Sequence, residues 1–223
     1  MAAAARRAGR NPEDIVLMAV TKTFPADSVR EAYAAGLRVF GENRVQEFAG
    51  KVDSLLDLAD AHWHLIGHLQ TNKAAKAGEL FRGIDSVDSL RLAEKLDAAA
   101  KARNRKLQVL IEVNVGGESQ KTGVSADSRE LEDLLHGADR LKSLEFRGLM
   151  TIPPFTENPE DARPYFIKLR KLREGIAERR WPAVDMSVLS MGMSYDFEVA
   201  IEEGSSCIRV GTAIFGQRAT AGH

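Results

Sequence analysis

The order of segments along this chain predicts an α/β fold, and within that class a single (β/α)8 TIM barrel. Three observations carry the prediction. Eight strand-length apolar runs alternate with amphipathic, helix-length runs over 223 residues, about what such a barrel occupies. The strongest run, 107–115, is mostly apolar and so reads as a parallel strand covered on both faces. The turn after the first strand has no Gly-x-Gly-x-x-Gly phosphate loop, which argues against an open, doubly wound sheet. No Ser/Gly- or Pro-rich linker divides the chain, so residues 1–223 are read as one domain.

Met1-Ala2-Ala3-Ala4-Ala5-Arg6-Arg7 lacks the apolar core of a signal peptide and reads as the end of a helix. The first strand is 15–20. Pro25-Ala26-Asp27-Ser28 opens a helix that Gly36 stops. The second strand is 37–41. A helix over 44–58 follows, with Val45, Phe48, Val52, Leu55 and Leu56 on one face. After a third strand at 63–67, Thr71 caps a short helix through Ala77. The fourth strand is 81–86, and Asp88 or Ser89 caps a helix to about Ala102 with Leu90, Leu92, Ala93 and Leu96 inward. Strand 107–115 leads to a helix over 128–135 and a sixth strand at 144–152. Pro153-Pro154 breaks the chain, and Pro159-Glu160-Asp161 starts an amphipathic helix to about Arg180. Strand 186–191, a helix over 195–203 and strand 207–212 complete the series.

The 44% apolar and 28% charged residues are ordinary for a soluble globular protein. A formal net charge of −1 suggests no polyanionic partner, so no nucleic acid is expected. No apolar run approaches membrane-spanning length. Cys207 is the only cysteine, which excludes an internal disulfide and leads to the expectation of a reducing, cytoplasmic setting.

In a barrel the chemistry sits at the carboxyl ends of the strands. Those ends are Lys22, Glu42-Asn43-Arg44, His68, Asn114, Met150-Thr151, Ser190-Met191-Gly192 and Arg209 to Thr212. A run of six apolar residues delivers Lys22, and a desolvated lysine becomes a neutral amine that attacks aldehydes. On that stretch alone, a lysine that snorkels to water is the alternative. Barrels often bind phosphate after strands seven and eight, through backbone N–H groups. Gly211 and the Thr212 hydroxyl suit that role, as do the glycine and hydroxyls of Ser190-Met191-Gly192-Met193-Ser194. Either loop alone reads equally well as a turn serving the fold. The eighth strand closes on the first, which makes Arg209 a neighbour of Lys22. A phosphate cradle, an aldehyde-trapping lysine and an arginine at one rim describe a site for pyridoxal 5′-phosphate.

With those residues in view, the chain resembles the YggS/PROSC family, the pyridoxal phosphate homeostasis proteins, from Gly9-Arg10 onwards. Its marks are Ala19-Val20-Thr21-Lys22-Thr23, Phe40-Gly41-Glu42-Asn43-Arg44-Val45-Gln46-Glu47 and Trp63-His64-Leu65-Ile66-Gly67-His68-Leu69-Gln70-Thr71-Asn72-Lys73. Further marks are Val113-Asn114-Val115, Lys121-Thr122-Gly123, Arg147-Gly148-Leu149-Met150, Leu189 to Ser194 with Asp196-Phe197, and Arg209 to Gly216. The resemblance implies a barrel like the N-terminal domain of alanine racemase, fold type III for this cofactor, without the C-terminal β-domain. It implies Lys22 as the lysine that holds the cofactor as an internal aldimine and does any catalysis. It places Ser190, Gly211 and Thr212 on the phosphate, Arg209 against the pyridine nitrogen, and Asn43 and Met191 along the ring. The implied function is intracellular pyridoxal phosphate homeostasis by a monomer that holds the cofactor and releases it or transfers it to apoenzymes.

The alternative is a low-activity racemase of amino acids using the same cofactor. Arginine only donates hydrogen bonds, which leaves the ring nitrogen unprotonated and the ring a weak electron sink. A racemase also needs an acid–base group on each face of its substrate. In alanine racemases the second is a tyrosine from the partner's β-domain. The tyrosines here are Tyr33, Tyr165 and Tyr195, and the sequence runs about ten residues past the eighth strand, so the β-domain is expected to be absent. Carriage therefore ranks above racemisation. Two departures stand out: Phe24 replaces a lysine that many relatives carry, and the first helix is short, which leaves an earlier start open.

His62 and His64 share a strand face, but no acidic or cysteine ligand accompanies them in sequence, and no metal is expected. His68 is read either as a group near the cofactor or as structural. Lys121 reads as a solvated loop charge, although the resemblance also suggests a secondary cofactor-docking point. Trp63 and Trp181 read as packing residues, and Lys168, Arg170, Lys171 and Arg173 as a solvated helix face.

Overall fold

Strands buried on both faces need cover on both sides, and a closed sheet wrapped in helices supplies it. A computed structural model describes residues 1–118 and 120–217, and among them eight parallel strands close in sequence order. The chain runs α1 (Ala2–Arg7), β1 (Val16–Val20), α2 (Ala26–Ala34), β2 (Val39–Glu42), α3 (Val45–Ala49), β3 (His62–Leu65), α4 (Ala74–Leu80) and β4 (Gly83–Val87). It continues α5 (Leu90–Ala102), β5 (Leu107–Glu112), α6 (Arg129–Gly137), β6 (Leu144–Met150), α7 (Arg163–Glu178), β7 (Val184–Met193), α8 (Phe197–Glu202), β8 (Cys207–Val210) and α9 (Thr212–Phe215). Strand β1 closes the barrel on β8, with Met18 opposite Arg209 and Ala19 opposite Val210. The period of two divides the apolar residues into layers. Ala19, Phe40, Leu65 and Ile111 join the main core between sheet and helices, while Met18, Val20, Ile66 and Cys207 form a separate cluster. No described helix is long and apolar enough to cross a membrane.

Several expectations are corrected. The helix expected over 44–58 is two pieces, α3 and a 3-10 turn at Val52–Leu55, with Gly50 and Lys51 between them. Glycine is a poor helix former, and the break leaves Leu56 72% exposed instead of on the buried face. Thr71 does not cap a helix; it begins a 3-10 turn, Thr71–Lys73, ahead of α4. Ser89, not Asp88, caps α5, its hydroxyl accepting from Leu92 N–H. Strand β5 ends at Glu112, β8 ends at Val210 with Thr212 opening α9, and β7 runs longer than expected, from Val184 to Met193.

The ends of β7 and β8 set up the site. Ser190 pairs with Cys207, but Met193 pairs with Arg209, so β7 takes three steps against two on β8. The extra residue is a β-bulge, which reverses the in–out order beyond it. Gly192 sits there at φ +93°, and a Cβ on it would lie 2.5 Å from Ala200 Cβ, so only glycine fits.

Candidate functional site

A pocket of about 220 Å3 opens at the carboxyl ends of the strands, where β1, β2, β6, β7 and β8 converge. Lys22, Phe24, Asn43, Ile152, Tyr195 and Thr212 surround its rim, and Val20, Ile66, Met193, Ser194, Arg209 and Gly211 also line it. Among the described residues no aspartate or glutamate lines it. The volume falls below the usual range for drug-sized ligands, about 300–1,000 Å3, and suits one small molecule.

Of the residues singled out from the sequence, Lys22, Asn43, Arg209, Gly211 and Thr212 come together here. Ser190 and Met191 do not. Both lie before the bulge: Ser190 is buried with its hydroxyl accepting from Arg209, and Met191 is buried in the core outside the sheet. Ser194, beyond the bulge, lines the pocket instead. Its hydroxyl oxygen accepts from Gly211 N–H at 3.2 Å and Ala213 N–H at 3.4 Å. Two backbone N–H groups thus converge on one oxygen, an arrangement suited to anions. The sequence held one clue to Ser194, a second hydroxyl in the same glycine loop, but the bulge that chooses between the two is invisible there.

Arg209 is 2% exposed. It donates to Ser190 Oγ at 2.7 Å and to the Thr151 carbonyl at 2.7 Å, which fixes the plane of the guanidinium. Burial pushes its proton affinity down, opposed by Cys207, Asp85, Asp196 and Glu112. Arginine nevertheless remains a cation and a donor only. Asp196 supports the loop from beneath, accepting from Met193 N–H at 2.6 Å, and its burial raises its pKa. Asn43 has room because residue 67 is glycine: a Cβ there would collide with the Asn43 backbone oxygen. Gly211 is not demanded by its own neighbours, since a Cβ would lie an ordinary 3.4 Å from Val20. Tyr195 donates its hydroxyl to the Glu157 carbonyl.

The remaining candidates lie elsewhere. His68 is exposed and faces Asp88 at 3.4 Å. Asn114 organises its own loop, accepting from Gly117 N–H and donating to the Glu118 carbonyl, and Lys121 pairs with Glu118. Arg170 pairs with Glu174 and Glu203. Trp63 stacks on Phe40. His62 and His64 line a second cavity at the opposite end of the barrel, and Asp85 meets His64 there at 2.9 Å, an acidic neighbour the sequence spacing did not reveal. Among the described residues no group of three or more potential ligands is placed to hold a metal ion.

The pocket therefore combines a lysine amine, a fixed guanidinium, an oxygen-binding loop and apolar walls, with no acid among them. Comparison with known proteins supplies a context. The family model described as alanine racemase, N-terminal domain, matches residues 2–219. A pyridoxal phosphate homeostasis protein of Aquifex aeolicus is 48% identical over 215 residues, covering 96% of this chain and 92% of that protein. One from Escherichia coli K12 is 41% identical over 224 residues, covering 98% and 92%. Among solved structures, PipY of Synechococcus elongatus with PLP bound superposes with a TM-score of 0.85 at 40% identity, covering 95% of this chain and 97% of that one. An alanine racemase of Clostridium difficile shares the fold at 16% identity and a TM-score of 0.69, and this chain covers 56% of it.

Proposed function

The chain belongs to the family of pyridoxal phosphate homeostasis proteins, and on that basis we propose that its rim pocket binds pyridoxal 5′-phosphate reversibly and buffers the free cofactor. The observation that carries the reading is the composition of one small pocket: Lys22, Arg209 and the hydrogen-bonded pair Ser194 and Gly211 line it together, without a carboxylate among the described residues. The donor set fits the cofactor group by group. Lys22 is the amine for its aldehyde, and the N–H groups of Gly211 and Ala213 with the Ser194 and Thr212 hydroxyls suit its phosphate. Val20, Ile66 and Met193 offer apolar walls for the ring, with Asn43 at the edge. Arg209, fixed by Ser190 and the Thr151 carbonyl, would be the donor for a ring nitrogen. The bound cofactor supplies an aldehyde that a lysine amine captures covalently and reversibly.

Arg209 also limits the chemistry open to the pocket once it is filled. A donor-only group keeps no proton on a ring nitrogen, so the pocket favours holding the cofactor over demanding carbanion chemistry. Release to apoenzymes completes the proposed role. We place it in the cytoplasm, which the lone, buried Cys207 suits, and as a monomer, since a closed barrel leaves no free sheet edge.

The test is chemical. Purified protein mixed with pyridoxal phosphate should develop a yellow absorption band that borohydride removes, and peptide mapping should then find the label on Lys22. A label on another residue, or none, rejects the reading.

A further inference from the structure

We propose that Lys51 is the positioning residue for Lys22: its ammonium ties both ends of the turn carrying Lys22 to a buried carboxylate on the neighbouring strand. The proposal rests on the reading of Lys22 as the residue that captures the cofactor.

After β1 the chain turns sharply over residues 21–24, closed by Phe24 N–H donating to the Thr21 carbonyl at 3.1 Å. Lys22 and Thr23 are the two central residues. Thr23 has φ 68°, a left-handed conformation that a β-branched residue rarely takes up. A turn with positive φ at its third position normally has glycine or asparagine there. The surroundings must therefore impose the shape on this one.

They do so from the end of β2, from α3 and from the break after α3. Lys51 Nζ donates to the Thr21 carbonyl at 2.9 Å and the Phe24 carbonyl at 3.2 Å, the two ends of the turn. It also lies 2.7 Å from Glu42 Oε1. An ammonium has three protons to donate and no lone pair, so three oxygens satisfy it. Glu42 Oε1 in turn accepts from the Thr21 hydroxyl at 2.5 Å, and Glu47 accepts from Thr23 N–H. Thr21, Thr23 and Phe24 are thus each held by Lys51, Glu42 or Glu47.

Burial marks the clamp as built. The Lys51 side chain is 12% exposed and that of Glu42 0%. Burial raises the Glu42 pKa, opposed chiefly by the charge of Lys51. Lys51 does not line the pocket, so it acts only through the backbone of the turn. It occupies the break after Gly50 where the sequence pattern runs on as helix, and the break lets it reach back to β1. Barrel closure does not involve it, since β1 is laddered to β2 and β8.

A double-mutant cycle isolates such a role. Cofactor dissociation constants are measured for the wild type, Lys51→Met, Lys22→Ala and the double variant. Lys51→Met should weaken binding about tenfold or more when Lys22 is present, and less than about twofold in the Lys22→Ala background, where only phosphate and ring contacts remain. Equal losses in both backgrounds mean general damage and overturn the proposal, as does no loss in either. In the cofactor-free protein, amide exchange at Thr23 and Phe24 should accelerate about tenfold in Lys51→Met while β5 amides keep wild-type rates. Unchanged rates at those two amides also overturn it. Should the unpaired Glu42 charge prevent folding, Lys51→Met with Glu42→Gln removes both members of the pair and must give the same pattern. Borohydride mapping of the wild type separates the two readings. An unlabelled Lys22 sinks the proposed function and this role with it, whereas a labelled Lys22 with a flat cycle sinks only the positioning role.

Discussion

At the amino ends of the strands the barrel encloses a cavity of about 330 Å3, walled by Val16, Met18, Val39, Val109, Leu110 and Val188. Two of its polar groups are paired: His64 meets Asp85 at 2.9 Å, and Arg147 meets Asp185 at 3.1 Å at its edge. The thiol of Cys207 also faces it, its pKa pushed up to about 12 by burial. The pocket at the carboxyl ends is smaller, about 220 Å3, yet it gathers a lysine, an arginine and two backbone N–H groups directed at the Ser194 hydroxyl, with no carboxylate among the described residues. Room alone, then, does not make a site. The larger space is lined by acids and bases together, Asp14 and Asp85 beside His62, His64 and Arg147, while the smaller one is lined by Lys22 and Arg209 with no carboxylate among the described residues.

The largest expected effect that tests this contrast is Lys22→Ala, which should abolish borohydride-stable labelling and weaken cofactor binding roughly a hundredfold, about 2.7 kcal/mol. Asp85→Asn at the opposite end should do the reverse. Loss of the buried His64–Asp85 pair should lower unfolding free energy in urea by about 2 kcal/mol while cofactor affinity stays within about twofold. If Asp85→Asn instead weakens binding as strongly as Lys22→Ala, the two ends are one functional unit and the contrast fails.

Ser194→Ala should weaken binding by roughly tenfold, about 1.4 kcal/mol, with labelling of Lys22 still complete at saturating cofactor. Titration of the phosphate-free analogue pyridoxal checks the assignment, since its affinity should hardly change. The smallest effect is a pH dependence. Burial raises the pKa of Glu112, whose Oε2 has no hydrogen-bond partner among the described residues. The folded state therefore binds that proton more tightly than the unfolded chain, and the stability it contributes is lost as pH rises through the raised value. Glu112→Gln keeps an oxygen for the Thr122 hydroxyl, which donates to Oε1 at 2.7 Å. Urea titrations should show the variant gaining on the wild type at about pH 8, with the gap closing as pH falls below the unfolded pKa near 4.3. A gap that widens on acidification would contradict the sign.

Much of the mouth was legible in the order of residues. Strand rhythm placed Lys22 and Arg209 near strand ends, and closure of β8 on β1, with Arg209 opposite Met18, brings both to one pocket, because strand order in a barrel fixes which strands pair. Glycines flanked by hydroxyls marked the two segments, after β7 and β8, that meet at Ser194 and Gly211. Less legible was anything that depends on one extra residue. Ser190 lies one layer below the pocket, accepting from Arg209, and Met191 points to the outer core; the bulge beyond them in β7 brings Met193 and Ser194 to the pocket. The break at Gly50 turns a continuous apolar stripe into two short pieces and leaves Lys51 between them.

From its residues alone this protein could be assigned a barrel, a mouth and an amine at that mouth, since apolar periodicity and strand order are local or nearly local properties. Which hydroxyl meets the Gly211 and Ala213 N–H groups, and which cation braces the turn around Lys22, were decided only when β7 met β8 and Lys51 met β1. Those outcomes depend on pairing between segments tens of residues apart, where one inserted residue reverses every side chain beyond it.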